Sequence, residues 1–453
     1  MVTEGLRCER HGATTRLTCA ECGVPICPRC MVRTDVGLRC ERCARSPVRG
    51  APVRRRLPLA LGACLAGLVL VAAGLAVAGV LGSGTTPRDA ARPLLGGWSK
   101  ARPLQALRGS TSAVTLRGGR VLVVGGGVGS VPLAASEVFD PRSGTWTGWG
   151  RLDQPRRGHR AVALKDGSVL VAGGIARGRL LSSAEVHGPS SRSGWRTARR
   201  MTEPRLGHTM TVLSTGDVLV TGGTGTSGVP SRGSQTVRPT ATAELFHPGT
   251  GRWTKVGSMR IPRFEHTASL LPDGRVLIAG GIGMRRGTVV PVASAEVFDP
   301  VTRAFGQTGN MATARADHAA VTLEDGRVLV VGGDNGSAAL ATAEIFDPAR
   351  GRWSRATPLA RPRRGLAATL LEDGTVLVTG GESLVEGTRT SLSAAERYDP
   401  QGDDWASAGS MSCPRSEHGA ALLSDGSVIV AGGDAAFPGR RPIPQGCVDR
   451  YRP

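Results

Sequence analysis

The tract "VLVVGG" at 121–126 returns, little changed, as "VLVAGG" (169–174), "VLVTGG" (218–223), "VLIAGG" (276–281), "VLVVGG" (328–333), "VLVTGG" (376–381) and "VIVAGG" (428–433). Seven copies, spaced about fifty residues apart, make the chain from about residue 96 onward one unit repeated, so the copies must share a fold. Each tract is a short apolar run of β-branched residues and leucine that ends in a glycine pair. That pattern fits a buried strand better than a helix. A tight-turn signal such as "KDG", "PDG" or "EDG" precedes most copies, and an acidic-apolar stretch such as "AEVFDP" or "AEIFDP" follows, then an aromatic residue. The 65 Gly and 29 Pro supply turns for many short strands.

This unit resembles the kelch repeat in the form found in the propeller of the galactose oxidase family, and the resemblance covers residues 96–453. It implies four strands per blade, and the copy number implies seven blades. The outer-strand aromatic is Trp98, Trp146, Trp195, Trp253, Phe305, Trp353 and Trp405. Trp98 precedes the first complete copy, whereas the last copy stops at "VDRYRP", so the first strand is expected to complete the last blade and remove a sheet edge. Cys413 and Cys447 both fall in that closing blade. They are candidates for a disulfide that locks the ring, provided the two strand starts come within reach.

Seven of the other eight cysteines crowd into residues 8–43 with one histidine, as Cys8/His11, Cys19/Cys22, Cys27/Cys30 and Cys40/Cys43, four pairs that each enclose two residues. Such pairs turn two side chains onto one ion, and the eight donors fill two tetrahedral sites. The order resembles a B-box-type zinc finger, particularly the short form at the N-terminus of some bacterial membrane proteins. It implies cross-braced sites, with Cys8, His11, Cys27 and Cys30 on one ion and Cys19, Cys22, Cys40 and Cys43 on the other. Cys40/Cys43 departs from the better-known B-box, which has two histidines there. With every position filled by protein the two zinc ions are structural. Residues 1–48 form this module, and 49–56 a basic juxtamembrane segment.

Residues 57–81, "LPLALGACLAGLVLVAAGLAVAGVL", are uncharged and long enough to cross a bilayer as one helix, and 82–95 form a linker. Arg49, Arg54, Arg55 and Arg56 before the run outweigh Arg88 and Arg92 after it. The N-terminus is therefore expected in a reducing cytoplasm and the propeller outside, in the cell membrane of a bacterial cell. A leading segment of 56 residues is too long for a signal peptide, and in a lipoprotein the apolar run would precede the cysteine of "LGAC" rather than follow it.

The formal charge of +21 comes almost wholly from arginine. It favours anionic partners, although nucleic acid is disfavoured because seven thiolates offset much of the arginine excess of the N-terminal module. The same register test that finds the blades also assigns most polar residues. Arg108, Arg156, Arg205, Arg263, Arg315, Arg363 and Arg415 stand three residues before a position held by His159, His208, His266, His318 and His418, with Thr111 and Leu366 in the remaining copies. Glu137, Glu185, Glu244, Glu296, Glu344, Glu396 and Asp449 fill an acidic slot, which suggests one ion pair per blade. Tyr398 and Tyr451 occupy the aromatic slot of "AEVFDP", so neither histidine nor tyrosine is left for galactose-oxidase-like copper chemistry. The loops between second and third strands vary and share one face. They hold Arg177, Arg179, Arg232, Arg238, Arg285, Arg286, Arg389, Arg440 and Arg441 against Asp334, Glu382, Glu386 and Asp434, which predicts a basic ligand face.

The sequence thus predicts an all-β chain: a seven-bladed kelch-type propeller with a zinc-stapled N-terminal module and one transmembrane helix. The expected function is non-enzymatic, the zinc finger recruiting a cytosolic protein and the propeller recognising an anionic or protein ligand. The alternative is an extracytoplasmic enzyme acting on glycans or cell-wall polymers, which would need a carboxylate pair on the variable face.

Overall fold

The computed structural model describes residues 96–453 apart from 190–193, 226–237, 286, 386–387 and 438–441, and the backbone of four short strands near the N-terminus. The chain divides into two compact units, Met1–Thr86 and Pro87–Pro453. In the first unit, Leu6–Arg7 pairs with Thr14–Thr15, and Met31–Thr34 pairs with Gly37–Cys40, placing Cys40 opposite Met31. The remaining zinc-ligand candidates and the apolar run 57–81 lie outside the described residues. Among the described residues, no helix is long and apolar enough to cross a membrane.

The second unit is all β. Among the described residues it contains seven four-stranded antiparallel sheets, one for each copy of the repeat. In the first sheet Ser112–Thr115, Val121–Val124, Ala135–Asp140 and Thr145–Arg151 pair in sequence order. The first strand of each sheet touches that of the next, and the seventh sheet touches the first, so these strands surround a central axis. In the seventh sheet Gly97–Ala101 pairs with Val448–Arg452, and Trp98 stands opposite Tyr451. The ends of the propeller are thereby joined in one sheet.

The repeated residues explain the repeated core. Every second strand is wholly buried because it is flanked on both faces by neighbouring sheets, which is why its sequence is a continuous apolar run rather than an alternating one. The third- and fourth-strand aromatics meet as cross-strand pairs, such as Phe139 on Trp146 with ring centroids 5.2 Å apart and Phe246 on Trp253 at 4.9 Å. Most of the tryptophan indoles reach back to the preceding sheet; Trp353 Nε1, for example, donates to the Gly309 carbonyl at 2.8 Å.

The glycine pair is a backbone requirement. Gly222 and Gly223 have φ of 62° and 101°, and a Cβ on Gly222 would lie 2.3 Å from the Arg263 carbonyl oxygen of the next repeat. Next to that glycine sits the next repeat's histidine: His159, His208, His266, His318 and His418 each pack at a different sheet junction. Burial and nearby arginines hold His159, His318 and His418 down to about 3, so these rings are neutral packing groups.

All seven arginines are fully buried and each meets the acid of its own repeat. Arg156 is representative: Nη1 donates to the Gly173 and Ser183 carbonyls at 3.0 and 2.9 Å, and Nη2 donates to Glu185 Oε1 at 2.8 Å. Glu185 also accepts from the Asp153 amide at 2.7 Å. The arginine thus ties the end of the second strand to the third, and the acid holds the incoming chain.

Cys413 and Cys447 are joined as a disulfide, with Cα atoms 6.6 Å apart. Arg415 Nη2 lies 3.1 Å from Cys447 Sγ, the place that Ser183 Oγ takes beside Arg156, also at 3.1 Å. The C413S/C447S variant therefore keeps an acceptor for Arg415 and removes only the cross-link. It is expected to lose about 3 kcal/mol relative to the oxidised chain, read by denaturant unfolding, with the difference vanishing when both proteins are reduced.

Candidate functional site

The loops joining second to third strands lie on one face and are held there by the segments that lead into the first strands. Gly109 bridges Gly127, Arg157 bridges Ile175, Ala316 bridges Asp334, Arg364 bridges Glu382 and Ser416 bridges Asp434. Short hairpins rise from this face: Gly127–Val128 with Val131–Pro132, Ile175–Ala176 with Arg179–Leu180, Ile282–Arg285 with Thr288–Pro291, Glu382–Val385 with Thr388–Ser391, and Asp434–Ala435 with Ile443–Pro444.

Of the arginines expected on this face, Arg177, Arg179, Arg238, Arg285 and Arg389 are exposed on or beside these loops. Arg389 stands 3.6 Å from Glu382. Arg232, Arg286, Arg440 and Arg441 lie outside the described residues, as does Glu386.

Besides Asp334, Glu382 and Asp434, three further carboxylates reach this face. They come from the residue immediately before the histidine position, which is Ser110, Gly158, Gly207, Glu265, Asp317, Gly365 and Glu417 in chain order. All seven have a left-handed backbone, with φ between 47° and 68°. Amides link them around the axis: Glu265 N donates to Gly207 O at 2.8 Å, Asp317 N to Glu265 O at 3.3 Å, Gly365 N to Asp317 O at 2.9 Å and Glu417 N to Gly365 O at 2.8 Å. Ser110 Oγ donates to Glu417 Oε2 at 2.8 Å across the closing junction. Arg160 belongs to the second repeat yet feels Glu417, Asp317 and Glu265 of the seventh, fifth and fourth, as only a residue near the axis does.

These acids are poorly compensated. Burial, with Asp317 and Glu417 adding repulsion against the pull of Arg160 and Arg364, pushes the Glu265 carboxyl up to about 8. Burial and Glu417 likewise raise Asp317 and Asp434 to about 6. Arg364 is engaged elsewhere, with Glu382 at 2.8 Å and Asp334 at 3.2 Å.

Between the unfolded carboxylate range near pH 4 and about 8 the folded chain holds protons that the unfolded chain has released, so these groups lower stability as pH rises through that window. Thermal midpoint is expected to rise on acidification from about pH 8 to about pH 6, and to rise less in E265Q. E265G, which relieves both the left-handed strain and the unpaired acid, is expected to gain about 1–3 kcal/mol in denaturant unfolding.

A cavity of about 430 Å³ opens here, lined by Phe264, Glu265, Ile282, Val289, Pro291, Ala316, Asp317, Asp334, Gly336 and Arg364. The surrounding face carries exposed apolar groups. Of the eight large apolar side chains exposed among the described residues, Leu107, Val128, Val131, Met284, Val289, Phe437 and Ile443 lie on this face, and only Val301 lies on the other. Exposed apolar groups scattered singly are ordinary, but their concentration on one face marks a contact surface.

The sheets and the repeated core define a kelch-type β-propeller. The chain belongs to the KLHDC2/KLHL20/DRC7 Kelch-repeats domain family, whose profile matches residues 207–433, half of its length. A Kelch motif profile also matches residues 108–148. The chain is similar to spermatocyte protein spe-26 of Caenorhabditis elegans, 36% identical over 95 residues, and the match spans 20% of this chain and 16% of that protein. Among solved structures it is similar to one described as a novel fungal alcohol oxidase with catalytic diversity among the AA5 family, in complex with copper. The TM-score is 0.63 at 17% identity, covering 79% of this chain and 76% of the other, a likeness that shows the fold alone.

The residues here do not fit a copper and tyrosine site. Tyr398 is buried within its sheet and donates to Asp403 Oδ1 at 2.7 Å, in a turn on the face opposite the variable loops. Tyr451 is buried against Trp98. The junction histidines are spread over five different sheet interfaces instead of converging.

Proposed function

We propose that this chain is a non-enzymatic, single-pass membrane protein that binds a protein ligand outside the cell through the variable face of a seven-bladed kelch propeller. In this reading residues 57–81 anchor the chain, and the N-terminal module, with its two zinc ions on Cys8, His11, Cys27 and Cys30 and on Cys19, Cys22, Cys40 and Cys43, recruits a cytosolic protein. The observation that carries the binding role is the variable face, where exposed apolar side chains surround a charged cavity while the polar residues repeated in every blade are consumed inside the blades. Between an anionic polymer and a protein, the axial carboxylates favour a protein, because a polyanion would meet Glu265, Asp317 and Glu417 at the centre. The Cys413–Cys447 pair suits an oxidising exterior.

A second reading keeps some support. Glu265 and Asp317 share a cavity with raised carboxyls, as the acid of a glycan-cleaving enzyme would require.

The test uses the full chain in its native membrane. Protease added from outside is expected to remove the propeller and spare the N-terminal module, and the purified chain is expected to carry two zinc ions. A propeller protected from outside, or a chain without zinc, contradicts the proposal. Release of reducing sugar from wall glycans, lost in E265Q, would favour the enzyme instead.

A further inference from the structure

We propose that the cavity between the fourth, fifth and sixth sheets receives a cationic side chain of the protein partner, an arginine or lysine, with Glu265 and Asp317 as its counter-charges and Phe264, Ile282, Val289 and Pro291 as the wall for its aliphatic stem. This deepens the binding reading above and rests on it.

Three observations lead here. First, Asp317 and Glu265, both half-buried, line the cavity, and no side-chain hydrogen bond or ion pair among the described residues reaches either carboxylate. Second, the cation nearest to hand is taken: Arg364 is committed to Glu382 and Asp334. Third, the wall is apolar, as the methylene stem of arginine or lysine needs and a bare ion does not. A metal ion is the poorer occupant, because no three histidine, cysteine or carboxylate groups among the described residues are placed to hold one. The left-handed backbone at Glu265 and Asp317, with φ of 53° and 51°, holds both acids in position before the ligand arrives.

The charge balance makes binding pH-dependent. The groups facing this pair are Glu417, Asp334, Arg160 and Arg364, and Asp434 in turn faces Glu417 and Arg157. Without a ligand the pair holds protons into the neutral range. An entering cation favours the ionised carboxylates and expels those protons, so affinity rises with pH up to the free-state value near 8 and is level above it.

The experiment titrates the full chain in nanodiscs with two fluorescent peptides that differ only in one residue, arginine or the neutral isostere citrulline. The arginine peptide is expected to bind at least about tenfold tighter, and its affinity to rise about tenfold between about pH 6 and about pH 8. The doubly substituted Glu265→Gln, Asp317→Asn chain should lose both effects while its thermal midpoint stays level or rises, since asparagine tolerates the left-handed backbone. Equal binding of the two peptides, pH-independent binding, or no binding of either overturns the proposal. A photo-crosslinker at Val289 separates the two levels: a defined adduct on cells with no preference for arginine keeps the binding reading and discards the cation, whereas no adduct discards both.

Discussion

Substituting Glu244 with alanine is expected to destabilise the propeller by about 3–5 kcal/mol, one of the two largest effects of a local change. Arg205 and Glu244 are both wholly buried, and Nη2 meets Oε1 at 2.9 Å. Removing the acid leaves an uncompensated guanidinium and also frees the Thr202 amide, which donates to Glu244 Oε2 at 2.8 Å. Burial already lowers the pKa of equivalent arginines such as Arg263, a sign of the desolvation that the acid offsets. The informative controls are two. An R205M/E244L chain removes both charges and should recover most of the loss. D273A breaks a pair whose side chains are 41% and 45% exposed and should cost under about 1 kcal/mol. Chemical denaturation of the three variants decides the matter, and a Glu244 variant no worse than the Asp273 variant would mean that the repeated pairs do not hold the blades.

Deleting Gly97–Ala101 is expected to have an effect of similar or greater size. The seventh sheet would lose its outer strand, the Trp98 ring would leave Tyr451, and the indole would no longer donate to the Ala408 carbonyl at 2.7 Å. Trp98 is half-buried, so its loss costs up to about 3–5 kcal/mol, the figure for a fully buried large aromatic. The ladder lost with it brings the total within reach of the whole stability of a typical domain, about 5–15 kcal/mol. Hydrogen exchange should then become fast at the amides of Val448–Arg452 that faced the deleted strand, more than at those paired with Val428–Ala431, and the thermal transition should broaden or vanish. Protection unchanged over Val448–Arg452 would show that the ring does not depend on its first strand.

Much of this was legible because repetition supplies the same constraint seven times. The buried strand, the aromatic slot, the arginine and its acid each recur at a fixed offset, so a residue's role could be read from its register even where its identity changes, as when His187 replaces phenylalanine and stacks on Trp149 with centroids 3.7 Å apart. The pairing of Cys413 with Cys447 was open only because strand starts do not fix a distance. The axial ring was missed for a physical reason. Ser110, Gly158, Gly207, Glu265, Asp317, Gly365 and Glu417 share no side-chain property; they share a left-handed backbone, which side-chain comparison does not register. The available signal was glycine interspersed with Asp, Glu and Ser at one offset, of which glycine and aspartate accept that backbone most readily. Glutamate at two of those positions was the hint that charge there serves something other than the fold.

The central claim is that the propeller works by binding on its variable face, and the most direct measurement is a photo-crosslinking scan of the full chain in living cells. Probes would replace Val131, Val289 and Ile443 on the variable face and Val301, 89% exposed, on the opposite one. Defined protein adducts from the first three positions and none from Val301 are expected. Adducts confined to Val301, or none anywhere, would contradict it.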